Sequence, residues 1–308
     1  MKRALISVTN KDGVVDFASG LVKLGFEIVS TGGTMKVLED NGVHCIAIDD
    51  VTGFPEMLDG RVKTLHPKVH GGLLFKRDNP EHVKTVQEHH IQPIDLVCVN
   101  LYEFEKALRA GKPMEDMIEN IDIGGPSMIR SAAKNFKDVL IVTDPSDYAK
   151  VLEAIENNQT DYDFRLRLAY KAFSTTGAYD AMISRYFADV CHDEFPDTLN
   201  ISLKKVEHLR YGENSQQAAN KYEDSYVQKS LLDYEQLHGK EISFNNVNDL
   251  YGAVALVREF GDQIVTAAIK HSTPCGVAIG ETGYDSYMKA YEAYPHSIFG
   301  GIVAVNFK

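Results

Sequence analysis

Phe26-Glu27-Ile28-Val29-Ser30-Thr31-Gly32-Gly33-Thr34 (residues 26–34) passes from a short apolar run through a glycine-containing turn into a helical pattern. Phe26 to Val29 predicts a strand, and Thr34 is a candidate cap for a helix that runs through Leu38 and stops at Asn41-Gly42. A strand that leads directly into a helix is the first half of a β-α-β unit. This stretch therefore favours an α/β fold.

The same alternation of apolar runs and helical patterns extends through the first half of the chain. Val14, Phe17, Ala18 and Leu21 have the spacing of one helix face, and that helix ends near Gly25. Further strands are predicted at Ala4–Val8, Cys45–Ile48, Asp95–Leu101 and Val139–Thr143. Continuous apolar strands separated by helices predict a parallel sheet that is covered on both faces.

Ligands of open parallel sheets bind at the carboxyl ends of the strands. Ser7, Ser30 and Asn100 lie at the predicted strand ends. Ser30-Thr31-Gly32-Gly33-Thr34 also opens a helix, where backbone N–H groups and the helix dipole favour an anion. This loop matches neither a Walker A motif nor GxGxxG, so it gives no support to a nucleotide-cofactor fold.

Gly60-Arg61-Val62-Lys63-Thr64-Leu65-His66-Pro67 is a second candidate anion site. If its backbone is extended, the side chains of Arg61 and Lys63 point to the same side. Asp122-Ile123-Gly124-Gly125-Pro126 is a third polar turn, and Lys134 lies about three helical turns beyond it. We expect these loops to converge on one small anionic ligand.

Two histidine patterns each allow a structural interpretation and a functional one. His66 and His70 have the i,i+4 spacing of a metal pair but lack the glutamate of HExxH, so structural hydrogen bonding is favoured over zinc binding. Lys270-His271 follows a strand pattern, and the lysine could hold the imidazole neutral; a surface pair is the alternative. Pro274-Cys275-Gly276 contains half of the deaminase PCxxC signature, but Ala278 replaces the second cysteine.

The second half of the chain predicts a separate domain. A long helix from about Phe164 to Val190 is followed by the helix-breaking stretch Phe195-Pro196-Asp197-Thr198, which sets domains of 1–195 and 196–308. Beyond it we predict a helix at about Asp249–Phe260 and a strand at Ile264–Ile269. The last apolar run, Ile302–Val305, has the pattern of an interior strand, so we expect the second domain to be incomplete.

Composition restricts the class of partner. The chain has 308 residues, 44% apolar residues and a net charge of −12, which argues against broad nucleic-acid or anionic-membrane binding. The scattered cysteines Cys45, Cys98, Cys191 and Cys275 include no CxxC pair and fit a reducing, cytoplasmic compartment. The apolar run after Met1-Lys2-Arg3 is too short for a signal peptide or a membrane span.

Together these strings resemble one family along essentially the whole chain. Its motifs occur in family order at residues 7–11, 30–34, 60–67, 100–102, 121–125, 132–135, 209–214, 239–246, 270–276 and 299–304. The chain is similar to the bifunctional purine-biosynthesis proteins that join IMP cyclohydrolase to AICAR transformylase. One departure is Glu103, where the family usually has proline, and it puts only the local loop geometry in doubt.

The resemblance implies an N-terminal α/β sandwich of the methylglyoxal-synthase-like type with a parallel sheet. The first part of a zinc-free transformylase domain, related to the cytidine-deaminase fold, would follow it. The implied reactions are the cyclisation of formyl-AICAR to IMP and formyl transfer from 10-formyltetrahydrofolate to AICAR. The cyclisation needs no cofactor or metal, and a homodimer is implied for the full-length protein. We expect this shortened chain to lack transformylase activity.

The resemblance also implies roles for individual residues. The candidate catalytic residues are Lys63, Tyr102, Asp122 and Lys134 for cyclisation, and Lys270 and His271 for formyl transfer. Lys63 would stabilise the formyl oxygen, Asp122 would orient the carboxamide, Lys134 could hold Asp122 ionised, and Tyr102 could relay protons. The candidate substrate-binding residues are Ser7, Thr9, Lys11, Ser30, Thr31, Gly32, Gly33, Thr34, Arg61, Thr64, Asn100, Leu101, Ile123, Gly124, Gly125, Arg210 and Tyr211.

Two alternative functions share the N-terminal fold. A phosphometabolite-binding regulatory module, as in carbamoyl-phosphate-synthetase-like proteins, could keep the Ser30–Thr34 loop but would not need Arg61 and Lys63 together with Asp122 and Lys134. Methylglyoxal synthase would not carry the motifs of the second domain. The combination of motifs therefore favours the bifunctional enzyme.

Overall fold

The computed structural model describes residues 1–227, 230–231 and 233–307. The chain divides into two compact units, Met1–Ser202 and Leu203–Lys308. The boundary predicted from sequence, between residues 195 and 196, lies seven residues before this division.

The first unit contains a five-stranded parallel sheet in the order β3-β2-β1-β4-β5. Its strands are β1 Lys2–Ser7, β2 Phe26–Ser30, β3 Cys45–Ala47, β4 Leu96–Val99 and β5 Leu140–Val142. Ala4, Leu5 and Ile6 of the central strand are fully buried, and all four residues of β4 are buried. Burial of successive residues requires cover on both faces, as predicted for a parallel sheet.

Ten α-helices belong to this first unit of the described chain, and a 3₁₀ helix, Pro145–Asp147, precedes the ninth. They are α1 Val14–Lys23, α2 Gly32–Asp40, α3 Ile48–Thr52, α4 Pro67–Leu74, α5 Pro80–Glu88, α6 Phe104–Arg109, α7 Met114–Glu119, α8 Gly124–Lys134, α9 Tyr148–Glu156 and α10 Tyr162–Val190. Val14, Phe17, Ala18 and Leu21 form the buried face of α1, as their spacing predicts. The main core joins this face to the sheet, and each fully buried large side chain contributes about 1.5–3 kcal/mol.

Helix α2 begins two residues before the predicted cap. Thr31 is extended and precedes the helix, whereas Thr34 lies in its first turn. The Thr34 hydroxyl accepts a hydrogen bond from Val8 N and donates one to Val8 O, both at 3.0 Å. Thr34 therefore ties α2 to the end of β1 instead of capping the helix. Ile48 likewise starts α3 rather than ending β3.

The second unit contains a β6–β7 hairpin and a three-stranded antiparallel sheet in the order β10-β8-β9. Its elements are β6 Leu203–Leu209, β7 Ala219–Asp224, α11 Phe244–Arg258, β8 Val265–Lys270, β9 Thr273–Ile279, α12 Gly283–Ala293, α13 Pro295–Ile298 and β10 Ile302–Val305. Helix α11 begins five residues before the predicted Asp249, because Ser243 and Asn246 form a capping box.

The last strand is at the edge of its sheet in the described chain. Strand β10 has the predicted bounds Ile302–Val305, but it pairs with β8 alone, and β8 is the central strand. The interior position expected for this run in a complete domain stays a prediction. Across the described ranges, no helix combines the length and the apolar character that a membrane span requires.

Candidate active site

A cavity of about 790 Å³ lies at the carboxyl ends of the central strands of the first unit. Strand β1 is the central strand of the sheet. Strands β2 and β3 follow it on one side, and β4 and β5 follow it on the other, so the strand order reverses direction at β1. Such a switch point leaves a crevice outside the strand ends, where α/β sheets bind ligands. The predicted site residues that line the cavity are Ser7, Thr9, Lys11, Thr31, Gly32, Gly33, Thr34, Arg61, Lys63, Thr64, Asn100, Tyr102, Asp122, Ile123, Gly124 and Gly125.

Asn100, directly after β4, fixes the loop that follows β1. Its Oδ1 accepts hydrogen bonds from Thr9 N at 2.6 Å and Asn10 N at 3.0 Å, and its Nδ2 donates to Asn10 O at 2.8 Å. Three hydrogen bonds use most of the bonding capacity of this amide. Asn100 therefore shapes the crevice by holding the backbone of the β1 loop.

The N-terminus of α2 forms an anion-binding wall of the cavity. The N–H groups of Gly32 and Gly33 belong to the first turn, which has no intrahelical acceptors for them. The neighbouring hydroxyls of Thr31 and Ser7 are hydrogen bonded to each other at 2.7 Å. Lys11 Nζ donates to Val8 O at 3.2 Å and Thr9 O at 3.3 Å, so the loop after β1 holds this cation at the cavity.

The loop from Met57 to Thr64 is turned, not extended. Met57 and Val62 form an isolated antiparallel bridge, and Leu58, Asp59 and Gly60 between them all have positive φ. Arg61 and Lys63 nevertheless both line the cavity. A tight turn, rather than strand alternation, therefore brings the two cations together.

Lys63 and Thr64 lie between two helix N-termini. A Cβ on Gly32 at the start of α2 would lie 3.5 Å from Lys63 Nζ, and a Cβ on Gly124 at the start of α8 would lie 2.8 Å from Thr64 Oγ1. The glycines thus permit close approach of the loop to both helices. An anion or a developing oxyanion in the cavity would meet an ammonium group and two positive helix ends.

The two cations of this loop are paired with glutamates. Lys63 Nζ lies 2.7 Å from Glu56 Oε2, and Arg61 forms an ion pair with Glu119 at the end of α7. The Arg61 and Glu119 side chains are both more than half exposed. Exposed ion pairs contribute little stability, so a phosphate could replace the glutamate as the partner of Arg61.

Asp122 is a half-buried carboxyl group that lines the cavity and has a shifted pKa. Burial raises the pKa of Asp122, and hydrogen bonds from the backbone N–H groups of Gly125 and Tyr102 act in the opposite direction. The Gly125 N–H donates to Asp122 Oδ1 at 2.8 Å, which also caps the start of α8. Tyr102 is half exposed at the same cavity.

Within the first unit, three predicted site residues do not line the cavity. Lys134 is the last residue of α8, about 15 Å along the helix from Gly124 at 1.5 Å per residue. This distance exceeds the reach of a lysine side chain, and Lys134 lines a different surface groove, so the structure does not support the expected pairing with Asp122. Leu101 is the second of these residues, and its side chain lies beside Gly125 at the start of α8.

Ser30 is the third of these residues and has an internal role. It is fully buried, and its hydroxyl donates to Ile6 O at 2.8 Å, across the β1–β2 pair. Its neighbour Thr31 lies beyond the strand end and faces the cavity. The substrate contact predicted for Ser30 is therefore not supported.

Ser30→Ala should lower the free energy of unfolding by about 1 kcal/mol, the usual net contribution of an internal hydrogen bond. It should not change binding of inorganic phosphate, because the lost hydroxyl does not reach the cavity. Urea denaturation and calorimetry measure the two effects. Thr31→Val is the matched comparison, since its hydroxyl lies at the cavity; a larger binding loss for Ser30→Ala would contradict this assignment.

The two spaced histidines make separate hydrogen bonds. His66 precedes α4 and accepts from Lys68 N through Nδ1 at 3.1 Å, whereas His70 Nδ1 lies 3.0 Å from Ser131 Oγ. Burial lowers the pKa of His70. Within the described ranges, no group of three or more His, Cys, Asp or Glu side chains is arranged to hold a metal ion.

The predicted residues of the second unit lie at or just beyond strand ends, where Arg210 and His271 are exposed and Tyr211 and Lys270 are half-buried. The Arg210 guanidinium lies over the Tyr211 ring at 4.9 Å and donates to its hydroxyl at 3.2 Å. Lys270 ends β8, and its Nζ donates to Phe299 O at 3.0 Å. His271 follows in the turn between β8 and β9 with φ 51°.

Sequence reasoning missed several residues that complete the first-unit site. Glu56 pairs with Lys63, and Glu119 and Asn120 line the cavity. The Tyr179 hydroxyl of α10 forms hydrogen bonds with the backbone on both sides of Ile121. The glutamates occur in ordinary polar stretches and give no distinct motif. Tyr179 lies 57 residues from Asp122, so only the tertiary fold reveals this contact.

Comparisons with known proteins cover nearly the whole chain. A family model described as AICARFT/IMPCHase bienzyme matches residues 132–308, and one described as MGS-like domain matches residues 13–127. The bifunctional purine biosynthesis protein PurH of Clostridioides difficile (strain 630) is 56% identical over 99% of this chain. PurH of Thermoanaerobacter sp. (strain X514) is 52% identical over 99% of this chain.

The chain spans 60% of the length of these curated relatives. A solved structure, described as the crystal structure of ForH, is 38% identical with a TM-score of 0.54 and covers 61% of this chain and 97% of its own. Together with the observed parallel sheet, the MGS-like match confirms the predicted class of the N-terminal fold.

Proposed function

Because the chain belongs to the AICARFT/IMPCHase bienzyme family, we propose that its first unit is an IMP cyclohydrolase. The observation that carries the proposal is one cavity that contains Lys11, Arg61 and Lys63, the N-termini of α2 and α8, and the half-buried Asp122. This set suits a phosphorylated substrate whose reacting end needs both a proton acceptor and an oxyanion stabiliser.

The reaction forms one ring bond and releases water. In formyl-AICAR the carboxamide nitrogen attacks the formyl carbon, and a proton passes from that nitrogen to the formyl oxygen. The resulting hydroxyl leaves with a second proton from the formamido N–H, which gives IMP and water. Because both reacting groups belong to one molecule, holding them in register supplies much of the rate enhancement.

The cavity residues divide into a phosphate end and a reacting end. We assign the phosphate to the α2 N-terminus with Ser7, Thr31, Lys11 and Arg61, where N–H, hydroxyl and cationic donors meet. Lys63 stabilises the charge on the formyl oxygen and assists its departure as water.

Asp122 accepts a hydrogen bond from the carboxamide nitrogen, directs this nitrogen toward the formyl carbon and accepts the proton that it loses on attack. Tyr102 relays protons at the exposed side of the cavity. The structure supports no corresponding role for Lys134, which lines a different groove.

We further propose that residues 196–308 are the first part of the AICAR transformylase, which uses 10-formyltetrahydrofolate. Arg210 and Tyr211 would hold the nucleotide phosphate, and Lys270 and His271 would act on the amine. The four free cysteines fit a cytoplasmic enzyme, and the homodimer stays a prediction for the full-length protein. The regulatory-module alternative is not favoured, since it does not account for the match over residues 132–308.

Purified chain should convert formyl-AICAR to IMP, followed by the ultraviolet absorbance of the purine ring. The enzyme-free rate is the control, and the same sample with AICAR and 10-formyltetrahydrofolate tests the predicted lack of transformylase activity. A folded sample that binds IMP but does not accelerate ring closure would contradict the cyclohydrolase and favour a binding module.

A further inference from the structure

We propose that Tyr179 is a positioning residue for ring closure, which holds the Asn120–Asp122 segment so that Asp122 faces the bound carboxamide. This inference rests on the proposed cyclohydrolase function. Tyr179 lies on α10, outside the residues that line the cavity. It acts through the backbone that carries Asp122.

The Tyr179 hydroxyl makes two hydrogen bonds to one short segment. It accepts from Asp122 N at 2.8 Å and donates to Asn120 O at 2.7 Å. Both distances lie in the normal range for their types, and the hydroxyl is used once as an acceptor and once as a donor. These bonds fix the backbone on either side of Ile121, immediately before α8 begins.

The tyrosine ring is also held by packing. It packs edge-to-face on Phe104 of α6 with ring centroids 6.3 Å apart. Phe104, Ala107 and Met117 form a buried cluster against which Ile121 and Tyr179 pack. Helices α6 and α7 and the Asn120–Asp122 segment are therefore anchored on α10 through one aromatic cluster.

The anchored segment is a functional wall of the cavity. Glu119 pairs with Arg61, Asp122 caps α8 through Gly125, and Asn120 and Ile121 line the cavity between them. A carboxylate acts on a reacting nitrogen only when it is held close to its productive position, and a displacement of about 1 Å can reduce the rate by about 10²-fold. Loss of the tether should therefore affect turnover more than binding of the distant phosphate.

Tyr179→Phe removes both hydrogen bonds and keeps the ring. We expect kcat to fall by at least about tenfold and KM for formyl-AICAR to change less than about threefold, since the lost contacts act on orientation. Tyr102, Asp122 and Asp180 are the titratable groups that interact with the hydroxyl. A looser segment admits water to Asp122, so the acid limb of the kcat profile should also move to lower pH.

Tyr186→Phe is the matched control. Tyr186 lies two helical turns along α10 and packs edge-to-face on the same Phe104 at 5.6 Å. Within the described residues its hydroxyl has no hydrogen-bond partner, so the substitution should leave kcat, KM and the pH profile unchanged. Near-ultraviolet circular dichroism verifies that both variants retain native packing.

Hydrogen exchange separates this inference from the proposed function. The Asp122 amide should exchange at least about tenfold faster in Tyr179→Phe than in the parent or in Tyr186→Phe, whether or not the chain turns over formyl-AICAR. Faster exchange with unchanged kcat and pH profile would reduce Tyr179 to a structural role and overturn the proposal. Unchanged exchange would overturn it as well, because the tether would then not restrain the segment.

Discussion

Lys63→Met should lower kcat for the closure of formyl-AICAR by about 10²- to 10³-fold, the usual effect of removing one preorganised oxyanion donor. Lys63 Nζ lies next to Gly32 at the start of α2 and pairs with Glu56 at 2.7 Å. Methionine keeps most of the length and volume of the side chain and removes its charge. Steady-state turnover beside phosphate binding measures whether the loss falls on kcat, as expected for a contact made in the transition state.

Lys36→Met is the matched control for this substitution. Lys36 is an exposed residue of α2, the helix that Lys63 approaches, and it does not line the cavity. It changes the net charge by the same amount near the same helix. The assignment of Lys63 fails if both variants keep kcat within about threefold of the parent, with unchanged thermal unfolding.

The sequence predicts the strands and the cavity position because both depend on local patterns. The apolar runs that become β1, β2, β4 and β5 were identified within two residues at each end. Gly32-Gly33 after a strand predicts the anion-binding start of α2. Because ligands bind at the carboxyl ends of parallel strands, Ser7 and Asn100 are predicted to line the same crevice, as observed. These features require no knowledge of distant contacts.

The partners within the cavity could not be predicted in the same way. Successive side chains of a strand point to opposite faces, so a shift of one residue at the end of β2 decides whether Ser30 or Thr31 faces the ligand. Arg61 meets Glu119, 58 residues away, and no spacing rule indicates this pair. Lys134 belongs to a motif of the family and lies on α8. Because the helix rises about 1.5 Å per residue, its last residue lies far from Asp122, which precedes its start.

Asp122→Asn should lower kcat by about 10²- to 10³-fold without destabilising the first unit. The amide oxygen can still accept the hydrogen bond from Gly125 N–H in the first turn of α8, since asparagine accepts such bonds at helix N-termini as well as aspartate does. The amide cannot take a proton from the attacking carboxamide, and removal of such a group costs about 10²–10⁴ in rate. Turnover and thermal unfolding, measured on the same preparation, test the two parts of this expectation.

The stability effect has a definite sign. Burial raises the pKa of Asp122 in the folded chain, so ionisation of this group opposes folding at every pH above its ordinary value of 3.8. The penalty is absent below that value and is complete once pH exceeds the raised folded pKa. The amide that replaces the carboxyl group carries no charge, so the Tm of the variant at neutral pH should equal or exceed that of the parent. The difference should vanish in acid.

Asp116→Asn is the control, because Asp116 is an exposed carboxylate on α7 that does not line the cavity. It should change neither kcat nor the pH dependence of unfolding. For the parent, kcat should rise with pH as Asp122 ionises, with a midpoint above 3.8. If Asp122→Asn retains this acid limb together with most of its turnover, another group must accept the proton, and Tyr102 at the same cavity becomes the next residue to test.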